Sequence, residues 1–168
     1  MSKKFKICLI LTVMLLQLAI LSHFTPFSVV PNYTFVVVLA IAIISPESES
    51  VVIGGVAGFL MDLFSGAPLG LNTLIYIYMI IGCIIVSEAV FSKNGVLMSI
   101  VCFGFSFLFE LLFGIFSCLL RGASFGFDAI GSIVLPTAAI NAAIFFPVYV
   151  ILRRIRFEKR RKGIKYER

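Results

Sequence analysis

The stretch GGVAGFLMDLFSGAPLG, residues Gly54 to Gly70, decides how the rest of the chain is read. Gly54, Gly58, Asp62 and Gly66 stand four apart, and a step of four returns to nearly the same face of an α-helix. One stripe is therefore small, small, acidic, small. Lipid gives no reason to gather small residues on one stripe. The close approach of another helix does, because glycine lets two backbones come together. A carboxylate facing lipid costs at least a few kcal/mol, so Asp62 must face the protein interior or a polar cavity.

Two roles fit such an acid. In a structural role, Asp62 sits one turn before the hairpin SGAPLG, built on Ser65, Gly66, Pro68 and Gly70. There it accepts hydrogen bonds from the turn or from the start of the next helix. In a functional role it lines a cavity and binds a proton, an ion or a substrate. The residues alone leave both open. Glu110, in the aromatic run FSFLFELLFGIF, raises the same question. Asn72, Arg121 and Asn141 are the further polar groups on the same side of the membrane.

The surroundings are those of a membrane protein. The 168 residues are 61% hydrophobic and 13% charged, about half the charge of a soluble domain, and the mean hydropathy is +1.13. The apolar runs predict an all-α polytopic protein forming a single membrane domain over residues 1–168. Its six transmembrane helices are expected at about 5–25, 29–45, 47–66, 71–91, 96–120 and 129–152, followed by a basic tail over 153–168. Ser45-Pro46-Glu47 predicts the start of the third helix, with Ser45 as its cap and Pro46 in its first turn. Charge sets the direction. All of the 14 basic residues except Arg121 fall on one side of a six-span arrangement. The positive-inside rule then places both termini in the cytoplasm.

Catalytic chemistry has no foothold here. Cys8, Cys83, Cys102 and Cys118 lie in apolar runs without CxxC spacing, and His23 is alone. No cluster has metal-ligand spacing, and there is no phosphate loop, GxSxG elbow or HExxH. No enzyme, cofactor or metal is expected. The tail RRIRFEKRRKGIKYER reads as a topology anchor drawn to anionic lipid. With no stacking platform beside its charge, nucleic acid is not an expected partner.

The central segment resembles the signature of the MreD family, the rod shape-determining membrane proteins of bacteria. Asp62-Leu63, Ser65-Gly66 and Leu69-Gly70 match that signature in order and spacing. Pro31-Asn32 matches the start of the family's second span. Pro147, its short apolar run and RRIR match the last span and its basic end. The resemblance implies a non-enzymatic scaffold of the cell-elongation machinery, in the bacterial cytoplasmic membrane. It would work with MreC, the actin-like MreB, the glycosyltransferase RodA and the elongation-specific penicillin-binding protein. It also implies a fold like that of the substrate-binding subunits of energy-coupling-factor vitamin transporters. The alternative function is thus a small-solute transporter subunit. Against it, the first helix, ICLILTVMLLQLAI, lacks the Ala-x-x-x-Ala docking pattern those subunits usually carry.

Overall fold

A computed structural model describes residues 3–21, 29–66, 68–90 and 94–166. Those residues form six helical rods and no strand. α1 (Lys3–Leu16) runs into a π turn, Gln17–Leu21. α2 (Tyr33–Ile44), α3 (Ser48–Ser65), α4 (Leu71–Ala89) and α5 (Gly95–Leu120) follow. A second π turn, Ile130–Val134, leads into α6 (Leu135–Tyr166). His23 lies outside the described residues. Among the described residues, three helices are long and apolar enough to cross a membrane: Leu71–Ala89, Gly95–Leu120 and Ile130–Phe157. Phe5–Ala19 and Tyr33–Ile44 are shorter apolar helices. The chain is a polytopic membrane protein.

α2 is the axis of the bundle. Every residue of it after Tyr33 is buried, and it packs against α6, α4, α1 and α3. A helix that is apolar all round is one that is enclosed all round. Its 12 residues reach about 18 Å, well short of the roughly 30 Å hydrocarbon layer. Because neighbouring helices wrap it, this length leaves no backbone facing lipid. The run 29–45 reads as a full span in the sequence, yet its first four residues, Val29 to Asn32, are not helical. Pro31 disfavours helix before it. The Asn32 side chain accepts from Phe35 N at 3.0 Å, and that cap fixes the helix start.

Contacts between rods set their alternation. At one end, Lys6 Nζ on α1 lies 3.4 Å from Glu47 Oε2 and 3.9 Å from Glu49 Oε1 at the start of α3. At the same end, Arg156 of α6 donates to Ser45 Oγ, after α2, at 3.1 Å. The starts of α1 and α3 and the last third of α6 thus share this basic end. The opposite end gathers the starts of α2 and α4 and the end of α3. The aromatic centre joins three rods. Phe35 stacks on Phe109 at 4.6 Å, and Tyr76 meets both edge-on at 5.3 and 5.5 Å.

One boundary differs from the sequence expectation. Ser45 does not cap α3; Glu47 holds that position and makes no side-chain cap bond. Ser45 instead ends α2, with its N–H on the Ile41 carbonyl and its own carbonyl accepting from Ser50 Oγ at 2.7 Å. The basic tail after Leu152 is itself helical, since α6 continues through it to Tyr166.

Candidate functional site: a carboxylate-capped helix hairpin

The glycine stripe of α3 lies against α4. A Cβ on Gly58 would stand 2.8 Å from Thr73 Cα and 2.9 Å from the Asn72 carbonyl oxygen. Those atoms are backbone and cannot step aside. At Gly54 an added Cβ would overlap Ile80 Cδ1, the far end of a flexible side chain. The tightest approach is therefore at Gly58, one turn below Asp62. Gly66 and Gly70 serve the hairpin differently, with φ of 65° and 90°, a region that side-chain-bearing residues rarely enter. Gly66 ends α3 as a left-handed cap and Gly70 opens α4. Ser65 is the last residue of α3. Pro68 closes the turn by accepting Leu71 N–H at 3.1 Å.

The first four N–H groups of a helix have no partner within it, and Gly70 has no side chain with which to cap α4. Asp62 supplies the acceptor from the preceding helix. Its Oδ1 accepts from Asn72 N at 2.8 Å. Its Oδ2 accepts from Gly70 N at 3.1 Å, Thr73 N at 3.0 Å and Thr73 Oγ1 at 2.7 Å. Four donors converge on one carboxylate that is 2% exposed. Every partner donates, which suits the acceptor-only ionised form. Negative charge at a helix N-terminus gains further from the helix dipole. Asn72 contributes through its backbone N–H.

A second cap lies at the same end, on α2. Gln17 Oε1, in the π turn after α1, accepts from Thr34 N at 2.9 Å and Thr34 Oγ1 at 2.8 Å. Asn32 Oδ1 takes the Phe35 N–H and also the Tyr76 hydroxyl, at 3.1 Å. Asn32 N donates to Asn141 Oδ1 of α6 at 3.0 Å, and Asn141 Nδ2 donates to Ser106 Oγ of α5 at 2.6 Å. Asn141 thus ties α2, α5 and α6 together, 0% exposed. The hydrogen bonds linking Asn32, Tyr76, Asn141 and Ser106 join four rods at one level.

The remaining polar residues stand apart from these caps. Arg121, at the end of α5, donates to the Gly66 carbonyl oxygen at 3.4 Å, a long bond on an exposed side chain. Glu110 lies half-buried on α5 and takes no part in either cap. The sequence reading missed Gln17, Thr34, Thr73, Tyr76 and Ser106. Thr73 alone had a local signal, lying 11 residues after Asp62, within the first turn of the next helix. Among the described residues no group of His, Cys, Asp and Glu is placed to hold a metal ion.

The family model described as rod shape-determining protein MreD matches residues 2–155. The chain belongs to the MreD family. That match includes the capped hairpin and all six rods up to the last third of α6. No curated protein and no solved structure gives a significant match. Membership in MreD carries a role in determining rod shape, and the family is one of shape-determining structural proteins.

Proposed function

We propose that the chain is a non-enzymatic scaffold of the bacterial rod complex. It would couple MreC and MreB to the peptidoglycan synthases, RodA and the elongation-specific penicillin-binding protein. The observation that carries this is the family match over 2–155. The geometry supports it in a specific way. Asp62, Asn141 and the backbone of Asn72 are engaged in helix caps, where they hold rods in register. A scaffold needs that rigidity, whereas a solute site needs convergent polar groups turned toward a ligand.

The same reading places the chain in the cytoplasmic membrane with six spans and both termini inside. Lys6, Arg153, Arg154 and Arg156 and the basic segment after them belong to one end of the bundle, and the hairpin end carries Arg121. That asymmetry supports a cytoplasmic basic end. The helical basic segment over 158–166 would lie along anionic lipid.

The test is affinity purification of the tagged chain from membranes in mild detergent, followed by mass spectrometry. Recovery of MreC with the synthase pair is the expected result. Recovery of an ATPase pair and its coupling subunit instead would replace the scaffold with a transporter subunit.

A further inference from the structure

At the basic end, a cavity of about 270 Å³ opens between the close of α2 and the last third of α6. Two of its walls are apolar, from Ile43 and Ile44 on α2 and from Tyr149 and Phe157 on α6. Pro46 and two cations, Arg153 and Arg156, complete the lining. Among the described residues lining it, none is acidic. Both guanidinium groups are positioned by neighbours. Arg153 lies against two rings, 5.9 Å from the Tyr149 centroid and 5.7 Å from that of Phe157, one turn before and one turn after it on the same helix. These cation–π contacts and a side-chain hydrogen bond with Tyr149 position the guanidinium, which carries five N–H donors in all. Arg156 is fixed by its 3.1 Å bond to Ser45 Oγ, one of the five donors a guanidinium carries.

We infer that this cavity binds the phosphate of one anionic phospholipid, such as phosphatidylglycerol. Arg153 and Arg156 hold the phosphate, and Phe157 and Ile44 stand beside the first acyl carbons. Paired arginines match phosphate oxygens in geometry and charge. The choice of a lipid over a soluble phosphate follows from position and wall chemistry. The site lies just past Leu152, where the apolar run of the last helix gives way to RRIR, as expected for a headgroup position. Its rim residue Phe157 is 57% exposed, an aromatic placed where rings favour the membrane interface. This goes beyond attraction of the basic tail to a charged surface, because it assigns one saturable site to two residues at the start of that tail, Arg153 and Arg156. It rests on the membrane reading and on none of the partner proteins.

The test is native mass spectrometry of the full chain, purified in detergent and stripped of lipid, then titrated with phosphatidylglycerol or phosphatidylethanolamine. A tight first phosphatidylglycerol is expected on the wild type. Arg153→Gln with Arg156→Gln should weaken it by roughly tenfold or more, as loss of charge-assisted bonds does. Phe157→Asp, a change at an exposed position that leaves the core alone, should weaken it too by placing a carboxylate at the rim. Neutralising Lys159, Arg160, Arg161 and Lys162 to Gln should leave the first lipid in place. Retention of the tight lipid in the double variant, or its loss in the tail variant, overturns the site. Displacement of the lipid by millimolar inorganic phosphate would reassign it to a soluble anion and overturn the lipid assignment. The scaffold reading is untouched by any of these results, since the measurement uses the purified chain alone.

Discussion

The starts of α4 and α2 lie at the same end of the bundle and solve the same problem by different means. Each leaves N–H groups with no partner inside the helix, in a protein whose surroundings offer little water. α4 is capped by a charged group from the helix just before it, across a hairpin: the Asp62 bonds span 8 to 11 residues of sequence. α2 is capped by neutral amides. One is its own Asn32, and Gln17 lies 17 residues from its partner. Asn141 then anchors the Asn32 N–H from 109 residues away. The first device ties two consecutive helices into a unit. The second locks that unit and the rest of the bundle around the axis. A charged local cap and a neutral distributed one should fail differently when altered.

The largest effect is expected where neither cap can compensate. Gly58→Leu drives a side chain into the backbone of Asn72 and Thr73, so α3 and α4 must part and Asp62 must leave its donors. Overpacking of this kind costs on the order of 3 kcal/mol or more. Gly104→Leu, at a position with open space around its Cβ, is the matched control. Detergent-solubilised yield by fluorescence-detected size exclusion should collapse for the first and persist for the second. Equal yields would mean that the hairpin tolerates separation, and the comparison would lose its first half.

Next comes the carboxylate itself. Asp62→Ala orphans three backbone N–H groups and a hydroxyl, and unpaired buried donors cost about 1–3 kcal/mol each. Asp62→Asn keeps one acceptor oxygen. With its amide NH₂ in the Oδ1 place, it retains the Gly70 and Thr73 donors and loses Asn72 N. The order should be Asn milder than Ala, and Ala milder than Leu, which adds bulk beside the Gly58 contact. Thermal stability, membrane level and cell shape should fall together along that series. Loss of rod shape in Asp62→Asn with abundant, folded protein would show that the charge does something other than cap α4.

How much of this was legible follows the same division. The hairpin could be read because its parts are close in sequence: glycines four apart, an acid one turn before a turn motif, and glycines where the backbone needs positive φ. The neutral cap could not be read. Gln17 looks like one polar residue in an apolar run, and nothing local says that a π turn aims it at Thr34. Asn141 stands out in the sequence as an intramembrane polar group, but its partners Asn32 and Ser106 are set by how α2, α5 and α6 pack. The length of α2 was also hidden, since a fully enclosed short helix and the lead into it have the same apolar composition as a span. Ser45 looked like a start signal for α3 because Ser suits both ends of a short link, and only the packing of Arg156 and Ser50 against it shows which end it serves.

A third change probes the distributed cap. Gln17→Ala leaves Thr34 N–H and its hydroxyl without an acceptor, at a residue that is 0% exposed. Two orphaned neutral groups, at about 1–3 kcal/mol each, predict a loss of about 2–6 kcal/mol. That is smaller than Asp62→Ala, because fewer donors are stranded and no charge is involved. Unfolding of the purified chain by a denaturing detergent gives the ranking. A Gln17→Ala penalty equal to that of Asp62→Ala would mean that the neutral cap carries as much of the fold as the charged one.

The smallest effects are the most discriminating, because they remove one hydroxyl from each cap and keep the side-chain shape. Thr73→Val deletes a 2.7 Å bond to a carboxylate oxygen. Thr34→Val deletes a 2.8 Å bond to an amide oxygen. Each acceptor keeps at least one backbone N–H: Asp62 Oδ2 retains Gly70 N and Thr73 N, and Gln17 Oε1 retains Thr34 N. Neither substitution strands a buried polar group, so each reports the bond and little else. Bonds to charged groups contribute about 1.5–3 kcal/mol and bonds between neutral groups about 0.5–1.5, and values inside membranes run toward the lower end. Thr73→Val should therefore destabilise by about 1 kcal/mol more than Thr34→Val. The measurement is the midpoint of detergent-induced unfolding for the two variants and the wild type. A Thr34→Val loss as large as that of Thr73→Val would remove the distinction between a charged and a neutral cap, and would point to Thr34 as a packing residue of α2 whose hydroxyl is set by the surrounding core.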